Sequence, residues 1–515
     1  MPVTIASSAA PGAAADYNDI LYPTYLASQC SPDRLAVMAR MRGVETAPPD
    51  RCRMLELGCG DGASLIAFGY ALPGSEFVGI DLAARPIEIG RARIAKLGLK
   101  NVTLHCADVM QVDASLGDFD FIFAHGLFSW VPEPVRERIL EICGALLKPK
   151  GVAYLSYNAY PGSFQRDMLR SMLQIHMRHL TDPAPKIRQS LGLIDFIRSA
   201  PFRDTPYHQF IEGFHENRGN PEVLLYDELG AVNQPFFFHE FARIAACHGL
   251  EYLNEADFDQ TAATLPPKIR KTLDGLGGNP ITFEQYLDFL TGRAFRQTLL
   301  CRHGVELDRR RRWEPLTGLY FASPVESQEL KDSDPPEARR YLGMRGRSAL
   351  VGDPIVQKAL EGLGGAWPAI VSFQDLAAAG GATGEAGLEV LGQNLLQLAE
   401  ANFLKLYAHR FRLAATVSER PRASALARLQ IGERFLTNLF CEAVATPDSL
   451  GGMALERLDG SRTKAQLAVE LAAALDALRP DTGEARRQIA EARAHLDEVL
   501  DKKMNDISEL GLLEA

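Results

Sequence analysis

Short apolar runs and longer amphipathic stretches alternate between residues 51 and 157. The stretches predict helices at about 63–71, 85–97 and 134–147. The apolar runs predict five strands, at 53–57, 76–80, 101–106, 119–124 and 151–155. Strands that alternate with helices of about 10–15 residues indicate βαβ units and a parallel sheet. Ligands of such sheets bind beyond the carboxyl ends of the strands, so we expect the functional site at that edge.

The pattern changes after residue 157. Residues 162–230 are polar and helical, and predict an insertion that caps the site. Helices are predicted at 235–248 and 282–300, and strands at 250–253 and 316–322. We expect these two late strands to complete the sheet.

Four parts are predicted outside this core, which spans 51–325. Residues 1–50 form an N-terminal segment, and residues 326–347 are rich in Ser, Asp, Pro and Arg and indicate a linker. Three short helices and a strand make 348–415 a winged-helix-like module. Residues 416–515 form a helical region with long amphipathic runs. Winged helices often bind DNA, but few lysines or arginines occur at 354–407, so no nucleic acid partner is expected.

Composition excludes several classes of protein. The 515 residues include 55 Lys and Arg and 65 Asp and Glu, a net charge of −10, which excludes a wholly basic nucleic-acid-binding surface. No run of about 18 apolar residues occurs, so no membrane span is expected. The eight cysteines form no CxxC pair. We therefore expect free thiols, a cytoplasmic location and no bound metal.

The strongest local signal is the sequence ELGCGDG, from Glu56 to Gly62, directly after the first predicted strand. Its glycines are spaced GxGxG, unlike the GxGxxG of a dinucleotide fold, and a P-loop is excluded because Ala63 and Ser64 follow. Glycines let a turn pass close to a ligand without a Cβ clash, and the next helix directs free N–H groups at that ligand. An ordinary tight turn between strand and helix is the alternative.

Two aspartates follow the next two predicted strands. Asp81 ends the second strand, where a carboxylate can accept hydrogen bonds from both ribose hydroxyls of a nucleoside. A helix N-cap is the alternative. Asp108 follows the third strand, where its carboxylate can accept from an adenine amino group while Val109 packs on the ring. A plain turn residue is the alternative there.

Together these features resemble the class I S-adenosylmethionine-dependent methyltransferases. Glu56–Gly62 matches the first motif of that family, Asp81 its acidic ribose ligand and Asp108 its adenine-side acid. The resemblance implies S-adenosyl-L-methionine as methyl donor, with S-adenosyl-L-homocysteine as product. Methyl transfer is then an in-line displacement, in which positioning does most of the work. The cofactor-binding residues that the resemblance implies are Glu56, Gly58, Cys59, Gly60, Asp61, Asp81, Leu82, Asp108, Val109 and His125.

Further motifs narrow this resemblance. They are SPDRL from Ser31, FSWVP from Phe128, SYNAYPG from Ser156, YDEL from Tyr226, NQPFFF from Asn233 and QYLDFL from Gln285. The set is similar to bacterial methyltransferases with a methyltransferase regulatory domain, and to the lysine methyltransferases of bacterial outer-membrane proteins. The resemblance spans nearly the whole chain. It implies an α/β fold: a Rossmann-like class I methyltransferase sheet with a helical insertion and a mostly helical, winged-helix-like C-terminal region.

In the fold that the resemblance implies, the methyl acceptor lies beyond the fourth and fifth strands. The candidate catalytic residues there are His125, Trp130, Tyr157, Asn158 and Tyr160. Aromatic rings attract an amine by cation–π contacts, and desolvation lowers the pKa of a lysine that must lose its proton. His125, Tyr157 or water could accept that proton. Packing or structural hydrogen bonds are the alternatives for the His, Trp and Tyr side chains.

Three functional hypotheses follow. The first is methyl transfer to a protein side-chain nitrogen, with lysine as the acceptor that the resemblance implies. The second is a small-molecule N- or O-methyltransferase, and the third is a scaffold that senses the cofactor without turnover. We expect a protein substrate, and a homodimer stays open. Tyr22 and Tyr25 either fold over the cofactor as a lid or pack on the sheet edge.

Overall fold

The centre of this computed structural model is a seven-stranded sheet in the order β3-β2-β1-β4-β5-β7-β6. The structure describes residues 21–22, 25–201, 204–217, 223–258, 265–277, 279–414, 416–478 and 483–515. The predicted N-terminal segment 1–50 therefore lies partly outside the described residues. The strands of the sheet are β1 Arg53–Leu57, β2 Glu76–Asp81, β3 Val102–Cys106, β4 Phe119–Ala124, β5 Leu147–Asn158, β6 Leu250–Glu255 and β7 Phe295–Arg302.

Strands β1 to β5 are parallel, and β7 runs antiparallel between β5 and β6. Side chains of β1 alternate between two hydrophobic cores, with Met54 in one and Leu55 and Leu57 in the other. Because both faces of the sheet are covered, its central strand β4 is buried along its whole length. The five strands predicted from the apolar runs are thus confirmed, as is the strand near residue 250.

The helices of the core follow the βαβ order. Around the sheet lie α1 Pro32–Arg40, α2 Ala63–Ala71, α3 Ala84–Leu97 and α4 Glu133–Leu146. After the insertion come α9 Phe238–Cys247, α10 Pro267–Gly277 and α11 Pro280–Thr291. The three helices predicted between the first five strands are therefore confirmed to within a residue or two.

The segment after β5 forms a small helical unit with a core of its own. Its helices are α5 Ser163–Met177, α6 Pro183–Ser199, α7 Pro206–Asn217 and α8 Val223–Asp227. Its buried core consists of Leu169, Leu173, Ile194, Ile211 and Leu224. The predicted helical insertion is present, although residues 202–203 and 218–222 lie outside the described part of the chain.

The helix predicted at 282–300 is wrong in its second half. Helix α11 ends at Gly292, which has a left-handed φ of 62°, and the chain then forms β7. The strand predicted at 316–322 is also misplaced: only Tyr320–Ala322 is extended, and it pairs outside the main sheet. The sheet is therefore completed by β6 and β7. A short apolar run buried on both faces cannot be told from a buried helix by its period alone.

Three small sheets and eight helices make up the described part of the chain after β7. The predicted linker 326–347 contains β9 Glu326–Gln328 and β10 Arg339–Leu342, which pair with β11 Ser348–Val351. A second sheet joins β8 Tyr320–Ala322, β12 Val371–Ser372 and β13 Lys405–Tyr407, and the third is the hairpin of β14 Phe435–Thr437 and β15 Ala443–Ala445. The helices are α12 Pro354–Ala366, α13 Phe373–Gly380, α14 Gly384–Glu400, α15 Ala425–Leu429, α16 Ser449–Arg457, α17 Lys464–Ala477, α18 Gly483–Ala494 and α19 Leu496–Glu509.

Candidate active site

The glycine-rich loop between β1 and α2 is left-handed at all three of its glycines. The φ angles of Gly58, Gly60 and Gly62 are 75°, 54° and 70°. A Cβ at Gly62 would lie 2.8 Å from the Leu104 side chain, so a larger residue would also clash. The loop is anchored where the Gly58 N–H donates to the Ile80 carbonyl at 2.8 Å. Only glycine adopts a left-handed φ at low cost and also lacks the Cβ that would clash. The loop therefore keeps its backbone open to a ligand.

Asp81 lies at the end of β2 and faces this loop. Its Oδ2 accepts from the Gly60 N–H at 2.8 Å, and its Oδ1 accepts from the Ala83 N–H at 2.8 Å. Burial raises the pKa of Asp81, against the lowering effect of these backbone donors. The two bonds fix the carboxylate while each oxygen keeps capacity for a further donor, as a ribose diol requires.

Glu56, at the end of β1, is almost fully buried. Burial raises the pKa of Glu56 well above its usual range, and the neighbouring Asp81 and Asp61 raise it further. Its Oε2 has no hydrogen-bond partner within the described structure. Burying a carboxyl oxygen without a partner is costly, which indicates that a polar group of a ligand belongs beside it.

Asp61 and Cys59 complete the loop. Asp61 Oδ1 accepts from the Ala63 N–H at 3.2 Å and Oδ2 pairs with Arg93 Nη1 at 2.6 Å. The Cys59 thiol is buried, and this burial raises its pKa well above the usual range. Asp61 thus holds the turn that leads into helix α2, and Arg93 is a contributor that the sequence pattern did not reveal.

Asp108 and Val109 are half-buried beyond β3. Asp108 Oδ1 accepts from the Met110 N–H at 2.9 Å, which caps a short 3-10 helix at Val109–Gln111. The turn role that was an alternative is therefore present, and it occupies one oxygen of the carboxylate. Leu82 is half-buried directly after Asp81, so the implied nucleoside contacts all lie at one edge of the sheet.

His125 directly follows β4, and its ring is held by a hydrogen bond to a tyrosine of β5. Its Nδ1 is hydrogen-bonded to the buried Tyr154 hydroxyl at 2.9 Å, and its ring meets the edge of Phe295 at 6.2 Å. Burial lowers the pKa of His125 to about 4. The imidazole is therefore neutral at pH 7 and is a weak acceptor for a lysine proton.

Tyr157 lies inside the protein and does not line the mouth of the site. Its ring stacks on Phe241 with centroids 4.0 Å apart, and its hydroxyl is hydrogen-bonded to Thr298 at 3.1 Å. Burial raises the pKa of Tyr157 well above its usual range. The expected position at the mouth is corrected because alternate residues of β5 face opposite sides of the sheet, and Tyr157 faces a core.

Trp130 is packed against the insertion. The guanidinium groups of Arg166 and Arg170, on α5, lie 5.5 and 5.6 Å from its ring centroid. Arg166 also pairs with Glu228 at 2.7 Å. The Trp130 ring thus already binds two cations of the same chain, which favours a packing role for Trp130 over contact with a substrate amine.

Asn158 and Tyr160 are linked by a chain of hydrogen bonds. Asn158 Nδ2 donates to Asn233 Oδ1 at 2.7 Å, and Asn233 Nδ2 reaches Asp167 Oδ1 at 3.5 Å. The Tyr160 hydroxyl donates to Asp167 Oδ2 at 2.8 Å. Sequence reasoning missed Asp167, since a helical Asp gives no local signal, and quoted Asn233 only as part of a motif.

The mouth beside Tyr160 is aromatic and partly open. Tyr160 stacks on Phe164 with centroids 4.2 Å apart, and Phe164 is 53% exposed. Burial, followed by the bond to Asp167, raises the pKa of Tyr160 to about 12. The hydroxyl therefore remains a donor. The stacked rings, with the Asp167 carboxylate at the Tyr160 hydroxyl, form a surface suited to a cationic amine.

The N-terminal tyrosines differ in placement. The Tyr22 hydroxyl donates to Asp227 Oδ1 at 3.3 Å, and its ring meets Tyr226 at 5.5 Å. Tyr25 is 58% exposed. Tyr22 thus contacts the insertion and not the sheet edge, and its predicted role as a lid stays a prediction.

Three family models match the chain. They are a methyltransferase domain at residues 54–151, a predicted methyltransferase regulatory domain at 220–302 and a PKMT C-terminal winged helix domain at 419–512. The structure of PKMT2 from Rickettsia typhi is similar over 96% of this chain and 99% of that one, with a TM-score of 0.82 and 25% identity. The chain belongs to the class I S-adenosylmethionine-dependent methyltransferases that carry a methyltransferase regulatory domain.

Two curated relatives from Rickettsia prowazekii are each 33% identical to this chain. The match to RP028 covers 44% of this chain and 91% of that protein, and the match to RP789 covers 57% and 54%. The chain therefore spans about half the length of RP789. A further structure of PKMT2, 24% identical, shows the same fold and is in complex with AdoHcy.

The residues at the carboxyl edge of the sheet fit the cofactor of this family, S-adenosylmethionine. All three glycines of the loop have a left-handed φ, Asp81 offers two fixed acceptor oxygens and Glu56 has an unpartnered buried oxygen. In the described ranges no three His, Cys, Asp or Glu side chains come together as a metal site would require, and none of the described helices is long and apolar enough to cross a membrane.

Proposed function

We propose that this protein transfers a methyl group from S-adenosylmethionine to a lysine Nζ of a protein substrate. The proposal rests on the cofactor cradle at one edge of the sheet and on the acidic, aromatic mouth beside it. The similarity to PKMT2 over nearly the full length of both chains supports a protein lysine as acceptor.

Each residue of the cradle has a defined task in this proposal. Asp81 would hold the ribose hydroxyls, Asp108 the adenine amino group and Glu56 the amino end of the methionine part. The bound cofactor supplies an electrophilic methyl group on a sulfonium. Because Asp81 and the loop are already fixed by hydrogen bonds, little ordering is needed on binding.

The acceptor side must bring a neutral amine to the methyl carbon. We propose that a lysine enters along Tyr160 and Phe164, with Asp167 attracting its charged form. Desolvation against the faces and edges of these rings then lowers the pKa of the lysine. Neither His125, with its lowered pKa, nor the buried Tyr157 is suited to take the proton, so water is the proposed acceptor.

A small-molecule O-methyltransferase is the second candidate. Ubiquinone biosynthesis O-methyltransferases, such as that of Dechloromonas aromatica, are 31% identical over 22% of this chain. That match is confined to a stretch of 114 residues. It gives no account of the insertion or of the C-terminal winged helix domain, which a protein substrate would use.

The test is methyl transfer from isotope-labelled S-adenosylmethionine to two fractions of a bacterial lysate, proteins and molecules of low mass. We expect label on lysine Nζ of one or a few proteins, identified by peptide mass spectrometry. Asp81→Ala should abolish it, whereas Asp113→Ala, which removes a similar turn carboxylate from an exposed loop, should not. Label found only among small molecules would contradict the lysine proposal.

Location and assembly are part of the same proposal. All eight cysteines are unpaired, which suits a reducing cytoplasm.

Ile175 and Phe196 on the insertion are 67% and 71% exposed, and they are the side chains that we propose for contact between two copies. Sedimentation equilibrium of the full chain and of an Ile175→Asp variant would test this, and a monomeric wild type would contradict it.

A further inference from the structure

Helix α2 carries no exposed polar face, and it begins directly after the glycine-rich loop. All six residues from Ser64 to Gly69 are buried. A helix that is apolar on every side must be covered on every side. The sheet covers one face only, so another part of the chain must stabilise the helix that presents its N-terminus to the cofactor.

The C-terminal region provides this cover. Leu426, Leu439 and Phe440 lie in the same hydrophobic core as Ala67 and Phe68 of α2. The Cys441 thiol also donates to the Ala67 carbonyl at 3.7 Å, so the C-terminal region contacts the helix that follows the cofactor loop.

Hydrogen bonds fix the contact at one end of α2. The Tyr70 hydroxyl accepts from the Ala425 N–H at 2.7 Å and also donates to the Glu514 carboxylate. Tyr70 thus joins two separate parts of the C-terminal region, the start of α15 and the end of the chain.

Two ion pairs that share Arg93 connect the N-terminal end of α2 with the C-terminal region; we call Glu433–Arg93–Asp61 the relay. Arg93 Nη1 pairs with Asp61 Oδ2 at 2.6 Å, and Arg93 Nη2 pairs with Glu433 Oε1 at 3.3 Å. The side chain of Asp61 is only 9% exposed, whereas that of Glu433 is 45% exposed. The bond to Asp61 therefore matters most, and Glu433 orients the guanidinium that makes it.

We propose that the C-terminal region is a working part of the cofactor site: through Tyr70 and the Glu433–Arg93–Asp61 relay it holds the glycine-rich loop in its binding conformation. Tyr70, Arg93 and Glu433 are positioning residues, since they act through the loop. Docking of the C-terminal region and cofactor binding are then coupled, and each strengthens the other by the same factor. The inference rests on the proposed function only through the identity of the cofactor.

The test is calorimetric titration of the full-length protein with S-adenosylhomocysteine, which needs no methyl acceptor. We expect Tyr70→Phe to weaken binding about threefold to tenfold, Glu433→Gln about twofold, and the double variant about tenfold. Glu470→Gln is the matched control, because Glu470 pairs with Arg462 inside the C-terminal region. It should leave affinity unchanged, whereas the Tyr70 and Glu433 variants should need more S-adenosylmethionine to reach half-maximal methyl transfer.

Hydrogen exchange of the wild type gives a second measurement that depends on no variant. Saturating S-adenosylhomocysteine should slow exchange at 425–441 and 510–514 as well as at α2. A lower melting temperature with unchanged affinity in the double variant, or ligand protection confined to the core domain, would overturn the inference. Failure of the wild type to bind would instead overturn the proposed function, and this inference with it.

Discussion

Tyr157 and Asn158 are neighbours on β5 whose side chains have opposite surroundings. Tyr157 packs into a core, whereas the Asn158 amide joins the polar chain that ends at Tyr160. The sequence predicted both as site residues because both follow the fifth strand. It could not assign their faces, since the polar end of a fully buried strand has no alternation to indicate which side is covered.

Tyr157→Phe should keep methyl transfer within about twofold of the wild type. The ring keeps its stacking on Phe241, and only the hydrogen bond to Thr298 is lost. We expect a loss of about 1 kcal/mol in the free energy of unfolding, from denaturant titration. A large fall in turnover with cofactor affinity intact would instead make Tyr157 part of the chemistry.

Asp167→Asn should lower the initial rate of methyl incorporation into proteins about tenfold, because the acceptor loses its only carboxylate partner in the proposed path. The affinity for S-adenosylmethionine should not change. Asp195→Asn, on the same insertion but paired with Arg198, is the matched control and should leave the rate unchanged. Equal rates for both variants would refute the proposed entry path of the lysine.

At the scale of elements, the sequence predicted the parallel half of the sheet well and its antiparallel half poorly. Strand β7 was taken for a helix because it contains two buried polar residues, Arg296 and Thr298, that break strand alternation. Arg296 is paired with carboxylates on two other elements, Asp288 of α11 at 2.8 Å and Glu255 of β6 at 2.6 Å. Such partners are brought together only by the tertiary fold, so no local pattern could predict them.

Gly162 and Gly192 offer a matched pair for testing how the insertion joins the sheet. A Cβ at Gly162 would lie 2.3 Å from the Gly292 carbonyl oxygen, whereas a Cβ at Gly192 would meet nothing within 4 Å. Gly162→Ala should destabilise the protein by about 1–3 kcal/mol. Gly192→Ala, in the exposed middle of α6, should stabilise it by about 0.5–1 kcal/mol.

Denaturant titration of the two alanine variants separates close packing from helix propensity. If both variants change the free energy of unfolding by similar, small amounts, the backbone at Gly162 can shift to accommodate a Cβ, and the insertion is not closely packed against the sheet. We expect Gly162→Ala to bind the cofactor as tightly as the wild type. Gly162 is about a hundred residues from the glycine-rich loop, and its N–H donates to the Arg293 carbonyl.

At the scale of the whole molecule, the sequence pattern and the family model place the winged helix in different parts of the chain. A winged-helix-like module was predicted at 348–415, and three helices with a small sheet are found there. The family model named for a winged helix matches 419–512 instead. The hairpin in that stretch has strands of only three residues, Phe435–Thr437 and Ala443–Ala445, which are too short for a periodic signal.

Asp33 links the first helix to the C-terminal half and should make stability depend on pH. Its Oδ1 accepts from the Ala408 and His409 N–H groups at 2.9 and 2.7 Å, and burial raises its pKa to about 7. An ordinary Asp in the unfolded chain titrates near pH 4. Between these values the folded protein binds more protons than the unfolded chain, so this residue lowers stability as pH rises from about 4 to 7.

Asp33→Asn should remove that dependence, since an amide oxygen still accepts from both N–H groups and carries no charge. Denaturant titrations from pH 4.5 to 8.5 give the free energy of unfolding of both proteins. The variant should gain on the wild type up to about pH 7, by on the order of 2 kcal/mol, and the difference should be constant above it. Asp332→Asn at an exposed site serves as control. A difference that is flat or falls with pH would contradict the assignment.

The most direct test of the whole account is calorimetric titration with S-adenosylmethionine of the wild type and of Asp81→Ala. The account predicts one binding site per chain in the wild type. It predicts affinity at least about 30-fold weaker in the variant, because the hydrogen bonds of a fixed carboxylate are lost. Absence of binding to the wild type, or equal affinity in both proteins, would contradict the cofactor site on which the proposed methyl transfer depends.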